Sequence, residues 1–272
     1  MQATNAAWLW RMLGGLIGAG GGTAFALLTL YVFSKSTWFG VLLLVGGSLV
    51  AVLPLYLVGN RTASADRVSA EFMTGALLGL NVALNAILLG ALIHPLAAMI
   101  PIVLLVPAWV PSLARTDVYQ AFIGWGNFVF PMSWLVTGLG LAFMLVSALL
   151  YGVTIGRVGF LKIHRFFVDF KTGTFFLLGG LAGNANLRAG SPGYNMGNFA
   201  FLRGDAAAEE RLVEHEAGHG LNLAAFGFVF HFIGAVDENI TGGHENAYAE
   251  RFAESNVPST APRAPILPLW GA

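Results

Sequence analysis

The sequence predicts a mainly α-helical protein: a polytopic membrane helix bundle of about five spans, followed by a small C-terminal α+β domain. Of the 272 residues, 56% are hydrophobic and only 10% are charged, against about 25% charged in an average soluble domain. A soluble fold of this size cannot bury so much apolar surface, whereas a lipid bilayer accepts it. After residue 158 the charges become more frequent and the apolar runs shorten to strand length.

Charge and cysteine content exclude several kinds of partner and chemistry. The formal net charge is zero, so we expect no large positively charged surface that would bind nucleic acid. The chain has no cysteine, which excludes disulfides, thiolate zinc ligands and a cysteine nucleophile. The lipid bilayer is therefore the first expected partner.

Long apolar segments define the expected spans. Four can cross a bilayer by length, at residues 12–34, 37–58, 71–93 and 132–155. A shorter, proline-containing stretch at 96–111 is expected to pair with the preceding span through a turn at His94-Pro95, and the aromatic residues 120–131 to be interfacial or re-entrant. The count is five, with four and six as alternatives. We expect a transmembrane region at 1–157, a C-terminal domain at 158–256 and a proline-rich tail at 257–272.

Two groups of basic residues bear on orientation. The first comprises Arg11, Arg61, Arg67 and Arg115, and the second comprises Arg157, Lys162, Arg165 and Lys171. An even number of spans places both groups on one side, as the positive-inside tendency requires, and makes the C-terminal third cytoplasmic. An odd number separates them.

Small and polar residues within the spans predict close helix packing. Gly14, Gly18 and Gly22 repeat every four residues, which lets another helix approach closely in lipid. That helix belongs either to this bundle or to another membrane subunit. Asn81 and Asn85 lie one turn apart and are expected to bond a neighbouring helix rather than to line a polar cavity.

The residues that follow the spans predict a hairpin, a loop and a strand. Residues 163–170 and 174–178 flank a turn at Lys171-Thr172-Gly173. Residues 183–197 are rich in Gly, Asn, Ser and Pro, which predicts a loop. A short strand is predicted at Asn198, Phe199, Ala200, Phe201 and Leu202.

A helix predicted from residue 206 to about 226, with Asp205 as its N-cap, carries the main candidate site. His215 and His219 are four residues apart, so they lie on one face and can share a tetrahedral zinc ion. Glu216 is placed to reach a metal-bound water and act as general base. The alternative is an ordinary amphipathic helix, in which burying these groups unpaired costs several kcal/mol. Gly218 costs about 1 kcal/mol in a helix and so predicts close packing, for example by a strand.

A third protein ligand is needed, and its candidates are His231, His244, Glu245 and Glu250. Residues 247–256 predict a second helix that carries Glu250 and Glu254 on one face.

This arrangement resembles the gluzincin metallopeptidases, in which a His-Glu-x-x-His helix is followed by a helix with Glu-x-x-Ala-Asp. It is similar to the heat-shock membrane protease, the CAAX prenyl endopeptidase and a group of small bacterial membrane proteins. The resemblance covers about residues 190–256. It implies a zincin-like C-terminal domain, a Zn²⁺ cofactor and a place in the bacterial inner membrane. It also implies His215, His219 and Glu250 as ligands, Glu216 as base and Glu254 in the second shell.

Two features depart from the family. Glu254 stands where the family has Asp, which lengthens the side chain by one methylene and puts its bond to a ligand histidine in doubt. His219 and Glu250 are 31 positions apart, which leaves little chain for a deep substrate chamber.

Further residues are candidates for transition-state hydrogen bonds. The aromatic residues 226–233 are expected to lie at the membrane interface, where His231 is either an interfacial side chain or an oxyanion-stabilising donor. His244 and Tyr248 precede or begin the second helix and are the other candidates.

The resulting expectation is a membrane-bound zinc endopeptidase that acts on membrane-proximal peptides. The strand at 198–202 is expected to be an edge to which an extended peptide adds. The alternative is a non-catalytic subunit of a larger membrane complex that retains a structural zinc site, with His231 or His244 as fourth ligand. A transporter is disfavoured, because the spans contain few ionisable residues and no inverted repeat.

Overall fold

The computed structural model describes residues 7–63, 65–185, 192–205, 210–241, 247–255 and 257. It is mostly helical and contains one small mixed sheet. The helices are α1 (Ala7–Lys35), α2 (Thr37–Thr62), α3 (Arg67–Leu92), α4 (Met99–Leu105), α5 (Pro111–Ala114), α6 (Asp117–Gly126), α7 (Pro131–Thr154), α8 (Gly180–Asn184), α9 (Glu210–Thr241) and α10 (Tyr248–Glu254). The strands are β1 (Ile163–Asp169), β2 (Thr174–Gly179), β3 (Gly193–Met196) and β4 (Phe199–Leu202).

Helices α1 and α3 run parallel and pack through glycine. A methyl group added at Gly14 or Gly18 would lie 2.1 Å from a carbonyl oxygen of α3, that of Phe72 or Ala76 respectively. Gly22 packs against α3 in the same way. The glycine repeat is therefore used inside this bundle, and an association with other membrane subunits stays a prediction.

The proline-containing stretch after α3 folds back along α3, as the turn at His94-Pro95 predicts. Ala98 contacts Gly90 near the end of α3, and the ring of Trp109 covers Gly15 near the start of α1. The stretch consists of short α and 3₁₀ segments around α4, because its prolines cannot donate the hydrogen bonds of a continuous helix.

One end of the bundle gathers basic residues. Arg11 forms a buried ion pair with Glu71, and Arg67 is the first residue of α3. Burial, followed by the nearby charge of Arg11, lowers the pKa of Arg115. Arg61 lies in the last turn of α2. We call the end marked by Arg11, Arg61, Arg67 and Arg115 the basic end; its composition agrees with the expected grouping of these arginines.

Helix α6 leads from the basic end into the bundle, where α7 begins. The backbone N–H of Met132 donates to Oδ1 of Asn85 at 2.9 Å, about 27 Å along α3 from its first residue. Asn81 donates to the carbonyl oxygen of Ala224 in α9 at 2.9 Å. The prediction that Asn81 and Asn85 bond neighbouring helices is confirmed, and residues 120–131 do enter the bundle.

The sheet has the strand order β1-β2-β4-β3, with β2 and β4 parallel and the other pairs antiparallel. The hairpin of β1 and β2 confirms the prediction for residues 163–178. The expectation that Asn198, Phe199, Ala200 and Phe201 form an edge is wrong, because β4 pairs on both sides and is buried. The two edges are β1 and β3. β3 lies within the predicted loop, because a four-residue strand containing Gly and Asn has no strand pattern of its own.

The sheet lies between α7 and α9. On one face, Phe199 packs near Gly140 of α7. On the other, Phe176 and Leu202 pack around Ala217 of α9. The main apolar cluster joins residues of α2, α3, α6, α7, α9 and α10, so one core crosses the expected domain boundary at residue 158.

Helix α9 is longer than predicted and sharply bent. The helix expected to end near residue 226 continues to Thr241, with a break at Gly227 (φ 80°, ψ 176°). His219 and His231 would be about 18 Å apart in a straight helix, yet their ring centroids are 6.4 Å apart. The second arm (residues 228–241) therefore folds back beside the first arm (residues 210–226).

Among the described residues, five helices are long and apolar enough to cross a membrane. The number agrees with the predicted count, but its membership differs. The broken stretch at 96–111 is not one of the five; the fifth is α9, which the bend at Gly227 makes two arms rather than one rod. The tail from residue 258 onward and His244 lie outside the described residues.

Candidate metal centre

Three side chains meet at the centre of the predicted site. Nε2 of His215 lies 3.2 Å from Oε2 of Glu250, and Nε2 of His219 lies 3.4 Å from Oε1 of Glu250. The two histidine Nε2 atoms are 3.2 Å apart. One ligand atom from each residue falls within 4.8 Å of the others, a cluster that could hold a metal ion. A buried carboxylate so close to two imidazoles suits a cation, which removes the cost of burying these polar groups.

The first arm of α9 and α10 approach closely enough to bring these ligands together. A methyl group at Gly218 would lie 2.5 Å from the carbonyl oxygen of Ala253. Asn222 donates to the carbonyl oxygen of Ala249 at 3.0 Å. The close packing predicted from Gly218 is thus real, but its partner is α10 and not a strand.

The second arm of α9 fixes the start of α10. Asp237 Oδ2 accepts from the backbone N–H of Tyr248 at 3.2 Å and from the hydroxyl of Tyr56 at 2.7 Å. Tyr56 in turn accepts from the backbone N–H of Ala249 at 3.2 Å. Two N–H groups at the beginning of α10 are satisfied in this way, and Glu250 follows directly.

Glu254 reaches His215, although its side chain is one methylene longer than the aspartate of the gluzincin pattern. Its Oε2 lies 3.1 Å from Nδ1 of His215, and its Oε1 accepts from Arg211 at 2.6 Å. A carboxylate on Nδ1 leaves Nε2 of the same ring to face Glu250 and a metal. Arg211, one turn before His215, compensates for the longer side chain by holding the carboxylate from its other side.

Glu216, on the first arm of α9, lies next to the edge strand β3. The side chain is buried, and its Oε1 would be 3.3 Å from a methyl group added at Gly193. Asn195 donates to the carbonyl oxygen of Glu216 at 2.9 Å, which ties β3 to the first arm of α9. The edge of the sheet is therefore held directly beside the candidate base.

A cavity opens beside the ligands. Its lining includes Gly193, Tyr194 and Asn195 of β3, and the ligands themselves. The second arm contributes Phe230, His231 and Glu238. His231 thus lies in the cavity, and its ring is near the backbone of Asn195. His231 is therefore a side chain of the cavity wall, and its role as an oxyanion-stabilising donor stays a prediction.

Tyr248 does not belong to the site. Its side chain is 2% exposed and does not line the cavity. Its hydroxyl lies 3.2 Å from Oγ1 of Thr74 in α3, and its ring packs on Gly59 of α2. Burial raises the pKa of Tyr248 to about 12. Tyr248 therefore anchors α10 to the bundle, and its expected role as a transition-state donor is wrong.

The candidate site lies near the basic end. Arg251 donates to the carbonyl oxygen of Asn60 at 2.9 Å, two residues before α2 ends. The contact of Tyr248 with Thr74 is seven residues into α3. Glu250 is therefore within about 10 Å of the basic end, measured along the helices.

The sequence did not single out Arg211, Asp237 or Glu238. The role of Arg211 could have been predicted from the sequence, because Arg211 precedes His215 by one turn of the same helix. Asp237 and Glu238 reach the site only because the chain bends at Gly227, and no spacing in the sequence predicts that bend.

The chain matches no protein-family model, no curated protein and no solved structure.

Proposed function

We propose that this chain is an integral membrane, zinc-dependent endopeptidase. The observation that carries the proposal is the meeting of His215, His219 and Glu250, with Glu216 and a cavity beside them. Three protein ligands are typical of catalytic zinc sites, and four are typical of structural ones. Among the described residues, the metal cluster comprises these three.

The bilayer is the proposed location, with the basic end in the cytoplasm. Five long apolar helices are compatible with an integral membrane protein. Four segments precede Arg115: α1, α2, α3 and the returning stretch around α4. This even number places the arginines of the basic end on one side, where the positive-inside tendency assigns them to the cytoplasm. The candidate site near that end would then face the cytoplasmic leaflet of a bacterial inner membrane.

A zinc ion held by His215, His219 and Glu250 would supply Lewis-acid polarisation of a scissile carbonyl and would lower the pKa of an attacking water. Glu216 would accept a proton from the attacking water and deliver it to the leaving amine. Glu254, itself held by Arg211, keeps the ring of His215 oriented. His231 lines the cavity and is hydrogen-bonded to the backbone of Asn195, which ties the second arm of α9 to β3 beside the proposed peptide path.

The substrate is proposed to be an extended, membrane-proximal peptide that adds to β3. An edge strand offers unpaired backbone groups to a second strand. β3 fits this role because it is the edge next to Glu216, and Gly193 and Asn195 line the cavity. A peptide along β3 would pass the ligands at the depth of the first turns of α9, close to the membrane surface.

The test is Glu216→Gln in the purified full chain, with unfolded casein and a single-span reporter protein as substrates. Glutamine keeps the shape of the side chain but cannot accept the proton, so we expect zinc content to be retained and cleavage to fall by at least about a hundredfold. Glu214→Gln is the matched control, because Glu214 is on the same helix and does not line the cavity. Unchanged cleavage by Glu216→Gln would remove the catalytic assignment.

The rival function is a non-catalytic subunit that keeps a structural zinc site. The glycine repeat that suggested an outward docking face packs inside the bundle, which weakens this alternative. It predicts that the chain co-purifies with partners and that Glu216→Gln changes neither assembly nor zinc content. A fourth protein ligand would favour it.

A further inference from the structure

A cluster of half-exposed aromatic rings lies where the sheet meets α6. The ring of Trp125 is 6.2 Å from that of Phe170 and 6.0 Å from that of Phe128, measured between centroids. Phe166 joins them through Phe175, at 6.4 Å. Exposure runs from 36% for Trp125 to 73% for Phe170. We call Trp125, Phe128, Phe166 and Phe170 the aromatic patch; so many exposed rings together are typical of an interaction surface.

Three exposed cations lie between the end of α7 and β1, and one of them, Arg165, lies over the ring of Phe167, 4.8 Å from its centroid. Arg157, Lys162 and Arg165 are all exposed. In the part of the chain that the structure describes, none of them lies within 4.0 Å of a carboxylate oxygen. Asp169, the acidic residue of β1, instead accepts from the hydroxyl of Thr172. We call Arg157, Lys162 and Arg165 the basic row; no carboxylate among the described residues forms an ion pair with it.

The aromatic patch lies at the level of the basic end. Lys171, in the turn between β1 and β2, is 3.1 Å from Asp117, and Asp117 follows Arg115 by two residues. β1 is also an edge strand. Its unpaired backbone groups are costly in hydrocarbon but can bond water and phosphate in the headgroup layer.

The aromatic patch and the basic row have the chemistry that suits one kind of ligand, an anionic lipid surface. Aromatic side chains are enriched at the boundary between lipid tails and water, and exposed cations at that level attract anionic headgroups. Helix α7, which leads into the basic row, carries exposed apolar side chains, with Leu149 and Val153 64% and 71% exposed. A soluble protein partner would not account for an exposed apolar helix at this position.

We propose that the aromatic patch and the basic row bind the headgroups of anionic phospholipids in the leaflet at the basic end. The rings occupy the level of the lipid esters, and the basic row contacts the phosphates. This proposal rests on the membrane location in the proposed function, but not on zinc or on cleavage. Its consequence is that β1 and the sheet are held at a defined depth, which positions β3 and the candidate site relative to the membrane surface.

The first test measures lipid selectivity. The full chain is placed in nanodiscs of phosphatidylcholine with phosphatidylglycerol, and the association of spin-labelled versions of the two lipids is compared. We expect phosphatidylglycerol to be preferred, and Arg165→Gln to lower that preference roughly twofold to fivefold, since one cation near an anionic surface contributes about that much. Lys35→Gln removes one exposed charge at the opposite end of α1 and is the matched control. Equal losses for both variants, or none for Arg165→Gln, would overturn the proposal.

The second test measures depth. The chain has no cysteine, so Phe170→Cys can carry a single nitroxide. We expect the nitroxide to be reached by dissolved oxygen and shielded from a water-soluble nickel complex. A nitroxide open to the nickel complex would contradict membrane contact and point to a soluble partner instead. Neither test uses zinc or a substrate, so Glu216→Gln should behave like the parent chain in both. A chain that does not enter the nanodisc would refute the membrane location itself.

Discussion

The bend at Gly227 provides the sharpest structural prediction, because the site depends on it. The backbone there has φ 80° and ψ 176°, a region that is essentially restricted to glycine. A methyl group at this position would also lie 2.7 Å from Oδ1 of Asn81 and 3.3 Å from Cβ of Met132. Gly227→Ala would therefore introduce both backbone strain and a steric clash.

The expected cost follows from these two terms. Holding alanine in this backbone region costs about 1–3 kcal/mol. Moving Asn81 away would also lose its hydrogen bond to Ala224, about 1 kcal/mol. We expect Gly227→Ala to lower the free energy of unfolding by about 2–4 kcal/mol. Because the second arm carries His231 and Asp237, splaying the arms should also weaken metal binding.

The assay is denaturant unfolding of the purified chain in detergent, together with zinc titration against a chelator. Gly46→Ala is the control, because nothing lies within 4 Å of a methyl group added at Gly46 and alanine favours a helix by about 1 kcal/mol. If Gly227→Ala is as stable as Gly46→Ala and holds zinc as tightly, the bend does not organise the site and the reasoning fails.

Three other substitutions test separate parts of the account. Glu254→Gln should lower zinc affinity about 10- to 100-fold, measured by chelator competition, because it weakens the orientation of His215. Gly18→Ala should lower the free energy of unfolding by about 1–3 kcal/mol, because its methyl group would press on α3, whereas Gly20→Ala, with open space around it, should not. Tyr248→Phe should cost about 1 kcal/mol of stability while leaving casein cleavage per folded molecule unchanged.

The sequence predicted correctly the features that depend on residues close together in the chain. The four-residue spacing of His215 and His219 fixes one helical face, and Glu250 lies on a separately recognisable helix. The turn at Gly173 and the return at His94-Pro95 follow from residues that restrict the backbone. In each case the pattern and the structural cause lie within a few residues of each other.

The rest of the site depends on contacts that sequence spacing does not encode. β3 becomes a strand only because β4 is beside it, and β4 is internal because β2 pairs with its other side. The predicted helix ends near residue 226 and the aromatic residues 226–233 are predicted to be interfacial, because nothing in the spacing around Gly227 indicates a second helical arm. Only the folded chain shows that this glycine turns the second arm back and brings His231 into the cavity.

X-ray absorption spectroscopy of the zinc-loaded full chain tests the central claim most directly. The account predicts one zinc per chain, bound by two imidazole nitrogens and one carboxylate, with a fourth, exchangeable oxygen ligand from water. Glu250→Gln should lose or severely weaken this binding, whereas Glu216→Gln should preserve it. Four protein ligands, or no zinc bound by the parent chain, would contradict the account.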